Sequence, residues 1–221
     1  SHFVTFFLAD NGVHSTAVGS VDVAATAHNI VASEWLFRIG FVSFLLTAVF
    51  FLLAAWALYV VLKPVNKDLA LLFVLLNLGG VAIWCTILLF EFSALLLMSG
   101  AGYLKAFDAD QLQALGMLSL TLYQTGFMIA QILLNLWLFP LGYLVFKSGF
   151  LPKVLGVLLI IDGFAMLIWS FQFFFLSGWE VLSTLGLATG FVAEGLFCLW
   201  LLIKGVNVEK WEKRAAGAAR A

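Results

Sequence analysis

Three carboxyl groups sit inside long apolar stretches of this sequence: Glu91, Asp162 and Glu194. An acid at that depth in a membrane is costly, and by default it marks an ion path, a proton relay or a ligand pocket. Asn77, Trp84 and Glu91 recur every seven residues. Seven residues is close to two helical turns, so the three share one helix face. Asp162 lies in LLIIDGFAMLIW, with Trp169 seven residues further on. Glu194 follows Gly186 and Gly190 at four-residue spacing, a pattern that lets a neighbouring helix approach closely. Thr121, Gln124, Met128, Gln131 and Asn135 step by three or four residues and predict a polar stripe long enough to line a bundle interior. Four successive helices thus each offer a strong polar group, which predicts a shared centre. No Lys or Arg lies at the same depth as a counter-ion.

Two roles compete for these groups. Interhelical hydrogen bonds in membranes contribute roughly 0.6–2 kcal/mol each, and the amides of Asn77, Gln124, Gln131 and Asn135 fit that structural role first. The three acids exceed what helix pairing requires and read first as functional. Other chemistries are demoted. His2, His14 and His28 all precede the first complete span, which argues against a transmembrane haem held by two His and against a Ser nucleophile with a His base. His14 and His28, with Asp10, Asp22 or Glu34, match no metal-ligand spacing, so no metal site is assigned. Cys85 and Cys198 form no CxxC pattern and read as small buried hydrophobes. No Gly-rich phosphate loop occurs, since Gly79 and Gly80 fall mid-helix and suggest close packing or a kink. No catalytic residue is assigned. The 23 Phe and eight Trp fit interface belts and lipid-facing surface, with an aromatic-lined pocket for a lipophilic ligand as a further option.

The elements that carry these residues follow from composition. The chain has 221 residues, 64% hydrophobic and 10% charged, with a mean hydropathy of +1.11. Soluble domains carry about 25% charged residues, so the fold class is all-α, a polytopic transmembrane helical bundle. About 20 apolar residues cross a bilayer as a helix, and complete spans are predicted over 39–62, 68–98, 111–146, 154–176 and 181–203. FVTFFL at 3–8 is expected to be part of a sixth span. Residues 1–38 then comprise that partial span and an exterior segment. The segment carries an interfacial helix from Val23, with Trp35 and Phe37 at headgroup depth. Residues 39–203 form the bundle, and 204–221 form a basic tail. Pro140 predicts a kink in the third span. Asp108 or Asp110 is expected to cap that span's helix, with Gln113 near its third position.

Charge placement sets the orientation. The connections 63–67 and 147–153, with the tail from Lys204, hold nine of the eleven Lys and Arg. The alternate connections hold Arg38 and Lys105 among Asp10, Asp22, Glu34, Asp108, Asp110 and Glu180. By the positive-inside rule the basic set, including the C-terminus, is cytoplasmic. A net charge of −1 implies no nucleic-acid surface.

Several stretches are familiar. EWLFRIGFVSFLL (34–46), ALYVVLKPVNKDLALL (57–72), FSALLLMSGAGYLKAFDADQLQALGM (92–117) and WLFPLGYLVFKSGFLPKVLGVLLIIDGF (137–164) resemble a prokaryotic membrane family known as domain of unknown function 4386. The resemblance covers residues from about 24 to about 175. It implies six spans, so the helix ending in FVTFFL is expected to begin before Ser1. It carries over no activity and no catalytic residue.

The leading expectation is a bundle in a prokaryotic cytoplasmic membrane that binds a small or lipophilic ligand, or serves as an accessory subunit of a membrane complex. Membrane lipid is the expected partner, with partner membrane subunits or a homo-oligomer as further options. The alternative is a proton- or cation-coupled carrier or channel using the three acids. Third comes an intramembrane lipid-modifying enzyme, which a mid-bilayer Asp162 disfavours.

Overall fold

The computed structural model describes residues 34–99, 102–175 and 180–218. They form an all-α helical bundle with no strand among the described residues. In chain order the helices are α1 (Glu34–Leu62), α2 (Lys67–Met98), α3 (Ala109–Leu136), α4 (Leu138–Ser148), α5 (Lys153–Phe175), α6 (Glu180–Ile203) and α7 (Val208–Ala218). A short 3-10 turn, Gly102–Leu104, precedes α3. Five segments are long and apolar enough to cross a membrane: Arg38–Leu62, Lys67–Met98, Ala109–Ser148, Lys153–Phe175 and Thr184–Ile203. They match the five predicted spans to within a few residues. The predicted span remnant at 3–8, the exterior segment after it and nearly all of the interfacial helix lie outside the described residues. Glu34 and Trp35 open α1 itself, and Trp35 is exposed.

Local chemistry sets the helix ends. Asn66 caps α2, its Oδ1 accepting from Leu69 N at 3.0 Å. At α3 the cap is Asp108, whose Oδ1 accepts from Gln111 N at 2.8 Å, while Asp108 N donates to Gln111 Oε1 at 3.2 Å. This reciprocal box uses Gln111 and not the expected Gln113, because the helix starts at Ala109 and its third position is 111. A break in the helix falls one turn before the proline. Pro140 has no N–H for the Leu136 carbonyl, and the helix is interrupted at Trp137 between α3 and α4. Flanking bonds persist, from Trp137 N to Leu133 O at 3.3 Å and from Leu141 N to Trp137 O at 3.2 Å. The chain turns after α4 through Gly149, whose φ of 75° is left-handed. Ser148 Oγ donates to Val145 O and accepts from Leu151 N, tying the turn down.

The chain divides into two compact units. The first comprises Ser1–Phe51 and Ile83–Phe127. Its described core contains Ala94, Leu95 and Leu120, with Phe92, Met98 and Met117 packed against them. Gly116 and Gly126 of α3 admit Met98 and Ile87 of α2 where any side chain would collide. The second unit comprises Leu52–Ala82 and Met128–Ala221. Here α4 and α5 meet backbone to backbone. A Cβ on Gly156 would stand 2.5 Å from Gly142 O and 2.6 Å from Phe146 N. Gly163, one helical stretch on, faces Leu138 and Phe139.

The exterior is apolar and the interior is where the polar groups are. Phe50, Leu89, Phe164, Phe191 and Leu202 are exposed, whereas Asn77, Glu91, Gln131, Asn135, Asp162 and Ser170 are buried. That inversion suits hydrocarbon as the surrounding solvent.

Gly156→Ala is expected to destabilise the protein by about 1–3 kcal/mol, the usual cost of forcing extra volume into a tight contact. Gly195→Ala, where a Cβ meets nothing within 4 Å, should leave stability within about 0.5 kcal/mol. Unfolding of both variants in mild detergent checks the contrast.

Candidate ligand site in the second unit

α5 carries the polar face of the second unit. Asp162, Met166 and Ser170 are spaced four residues apart and are all buried, as that spacing requires of one helix face. At one end of this face, Asn135 of α3 donates through Nδ2 to Met166 O at 3.0 Å and to Ser170 Oγ at 2.9 Å. Ser170 Oγ donates in turn to Met166 O at 3.0 Å. The Asn135 amide thus acts as predicted for a structural group, fastening α3 to α5.

At the other end stands Asp162. Its exposure is 0%, and neither carboxyl oxygen has a hydrogen-bond partner among the described residues. It faces α6. A Cβ on Gly190 would lie 3.2 Å from Asp162 Oδ1 and 3.4 Å from Met166 Sδ. One turn earlier, a Cβ on Gly186 would meet Trp169 Cβ at 3.0 Å and Ala165 O at 3.2 Å. The four-residue glycine pair therefore does what its spacing predicts: it lets α6 lie against α5. One turn beyond Gly190 on α6, half-buried Glu194 interacts electrostatically with Asp162. Trp169, half-buried on α5, belongs to the same contact through Gly186.

Asn77 and Gln131 also belong to this unit and are buried. Phe73, Asn77 and Gly80 form one stripe of α2. Phe73 packs its ring 6.1 Å from that of Trp137, and a Cβ on Gly80 would collide with Leu134. Asn77 lies between them at 0% exposure, with neither amide atom hydrogen-bonded among the described residues.

Glu91, Trp84 and Gln124 fall in the first unit. The seven-residue stripe holds as read, since Asn77, Trp84 and Glu91 are all buried. Trp84 packs edge-on against Phe44 at 5.8 Å and Phe127 at 6.2 Å. Glu91 interacts electrostatically with Tyr123, a buried residue of the neighbouring helix. The polar stripe of α3 needs a correction. Gln131 and Asn135 are buried and Gln124 is half-buried, but Thr121 is exposed. Its Oγ1 donates to Met117 O at 2.9 Å, so the hydroxyl is satisfied by its own helix and can face outward. Sequence reasoning also passed over Ser170 and Gln172. The eight-residue step from Asp162 to Ser170 was the available signal. Gln172 Oε1 is buried without a hydrogen-bond partner among the described residues, and no spacing flagged it. No group of three His, Cys, Asp or Glu gathers as a metal site among the described residues.

The sequence matches the family "Domain of unknown function (DUF4386)" over residues 2–205, and the chain belongs to that family. It is also 33% identical over 151 residues to an uncharacterized protein of Archaeoglobus fulgidus, covering 68% of this chain and 74% of that one. No solved structure matches. Within the family stretch 137–164 the structure gives each special residue a task. Pro140 interrupts the helix, Gly142 and Gly156 make the backbone contact, Gly149 turns the chain, and Asp162 faces the next helix.

Asn135→Leu is expected to cost about 1 kcal/mol of stability, in the range measured for interhelical membrane hydrogen bonds. Ser170→Ala should cost less, because Met166 O keeps its bond from Asn135. The double variant should fall short of the sum of the two, since the groups form one network. Unfolding of the three variants in detergent measures the coupling.

Proposed function

We propose that this chain is a multi-pass protein of a prokaryotic cytoplasmic membrane, with its C-terminus in the cytoplasm, that binds a small ligand at Asp162. The ligand carries a hydrogen-bond donor, and an amine or a hydroxyl would serve. A single observation supports this reading: Asp162 is fully buried, and both of its oxygens lack a hydrogen-bond partner among the described residues. Buried polar groups in proteins are hydrogen-bonded as a rule, and a buried acid leaves a large desolvation cost without a donor. Its neighbours suit a recognition site. Gly190 meets it without a side chain, Met166 lies one turn along the same buried face, and Glu194 stands one turn beyond Gly190 on α6. In the same unit Trp169 packs at the α5–α6 contact and Asn135 fastens α3 to α5, while Asn77 and Gln131 are further buried polar groups.

The position of Glu194, one turn beyond the Gly190 that faces Asp162, favours a second reading, a proton- or cation-coupled carrier, since acids inside membrane helices mark ion paths. In that reading Glu91 would act as a further relay acid in the first unit.

Native mass spectrometry of the gently extracted protein tests the first reading. A bound small molecule is expected, reduced at least tenfold in Asp162→Asn while Asn135→Leu retains it. An unchanged spectrum for Asp162→Asn sinks the proposal. A stoichiometric protein subunit in place of a small molecule would point to an accessory role. Ion flux into proteoliposomes separates the carrier, whose flux must fall in Asp162→Asn and in Glu194→Gln.

A further inference from the structure

The residues after α6 do not trail away. α7 is capped by Asn207, whose Oδ1 accepts from Lys210 N at 3.0 Å, and two bonds hold the helix to distant turns. Asn207 N donates to Phe150 O at 3.2 Å, in the turn between α4 and α5. Trp211 Nε1 donates to Val61 O at 2.8 Å, at the end of α1. That carbonyl is one of the last four of α1, which have no partner within their own helix. Three chain connections are thereby gathered at one end of the second unit, and they are the basic ones.

The turn 63–67 brings Lys63 and Lys67. The α4–α5 turn is flanked by Lys147 and Lys153, with their amines over the rings of Tyr143 and Phe146 at 5.9 and 5.5 Å. α7 adds Lys210, Lys213 and Arg214, and Lys204 precedes it. Every one of these eight cations is exposed. Only Asp68, Glu209 and Glu212 oppose them in sequence, and Glu209 pairs with Lys213 at 2.6 Å. Exposed apolar side chains begin within a turn of the cations: Val60 near Lys63, Val154 beside Lys153, and Leu202 and Ile203 just before Lys204. On α7 itself Val208 is exposed.

We propose that α7 and the two basic turns form a binding face for anionic phospholipid headgroups of the adjoining leaflet. Continuity decides the occupant. The cations border the apolar ends of helices that fit a bilayer, so the face meets the lipid phosphate level, where basic clusters attract anionic lipid. Lys147 and Lys153, exposed and with their amines over aromatic rings, make cation–π contacts that suit a boundary between water and apolar surface. The proposal does not depend on the Asp162 ligand.

The full chain is reconstituted in nanodiscs containing phosphatidylcholine and phosphatidylglycerol, extracted gently, and the retained lipids are counted by native mass spectrometry. Phosphatidylglycerol is expected to be enriched. The enrichment should fall at least tenfold in Lys210→Gln/Lys213→Gln/Arg214→Gln, given about fivefold for each charge at about 1 kcal/mol. Lys63→Gln/Lys67→Gln, which leaves α7 untouched, should reduce it too. Salt raised from about 0.1 M to about 1 M shortens the screening length from about 10 to about 3 Å and should erase it. Equal retention of both lipids, or enrichment that both variants keep, overturns the proposal. So does displacement of phosphatidylglycerol by inorganic phosphate but not by chloride at equal ionic strength, which would mark a site for free phosphate.

Discussion

The close approach of α5 to its two neighbours governs the second unit. Helices in hydrocarbon have no hydrophobic drive to associate, so they must gain from short contacts and hydrogen bonds. On one side Gly142 and Gly156 let α4 touch α5 at the backbone. On the other, Gly186 and Gly190 let α6 lie against Ala165, Met166, Trp169 and Asp162. Asp162 is buried because α6 comes near enough to cover it, and α6 comes near because it presents glycine there.

That arrangement separates two kinds of buried polar group. Asn135, Ser170 and the Met166 carbonyl satisfy one another and bind α3 to α5. Asp162 and Asn77 have no such closure among the described residues. A closed network needs nothing further from outside. An open one in a low-dielectric interior calls for a donor, which is why the ligand reading rests on Asp162 and not on the better-connected amide.

At the opposite extreme of polarity, the basic end shows how a tail becomes part of a fold. Trp211 and Asn207 each satisfy or use a backbone group left over at a turn, Val61 O in one case and Phe150 O in the other. These bonds join residues far apart in sequence and collect charges that the chain order scatters.

Much of this protein was legible in the linear sequence. Composition and apolar run length determined the class and five of the spans, because a helix must satisfy its own backbone in hydrocarbon and needs a set length to cross it. The seven-residue stripe of α2, the helix break ahead of Pro140 and the glycine pair of α6 could be read because each depends only on helix geometry or on a missing atom. Position along one helix does not say which groups meet across helices. Folding alone could bring Asp162 to Gly190, divide the three acids between two units, choose Gln111 over Gln113, and turn Thr121 outward on a bond to its own helix. Trp211 reaching Val61 was equally out of sight, since periodicity records which face a residue occupies and carries no record of which helix will stand opposite.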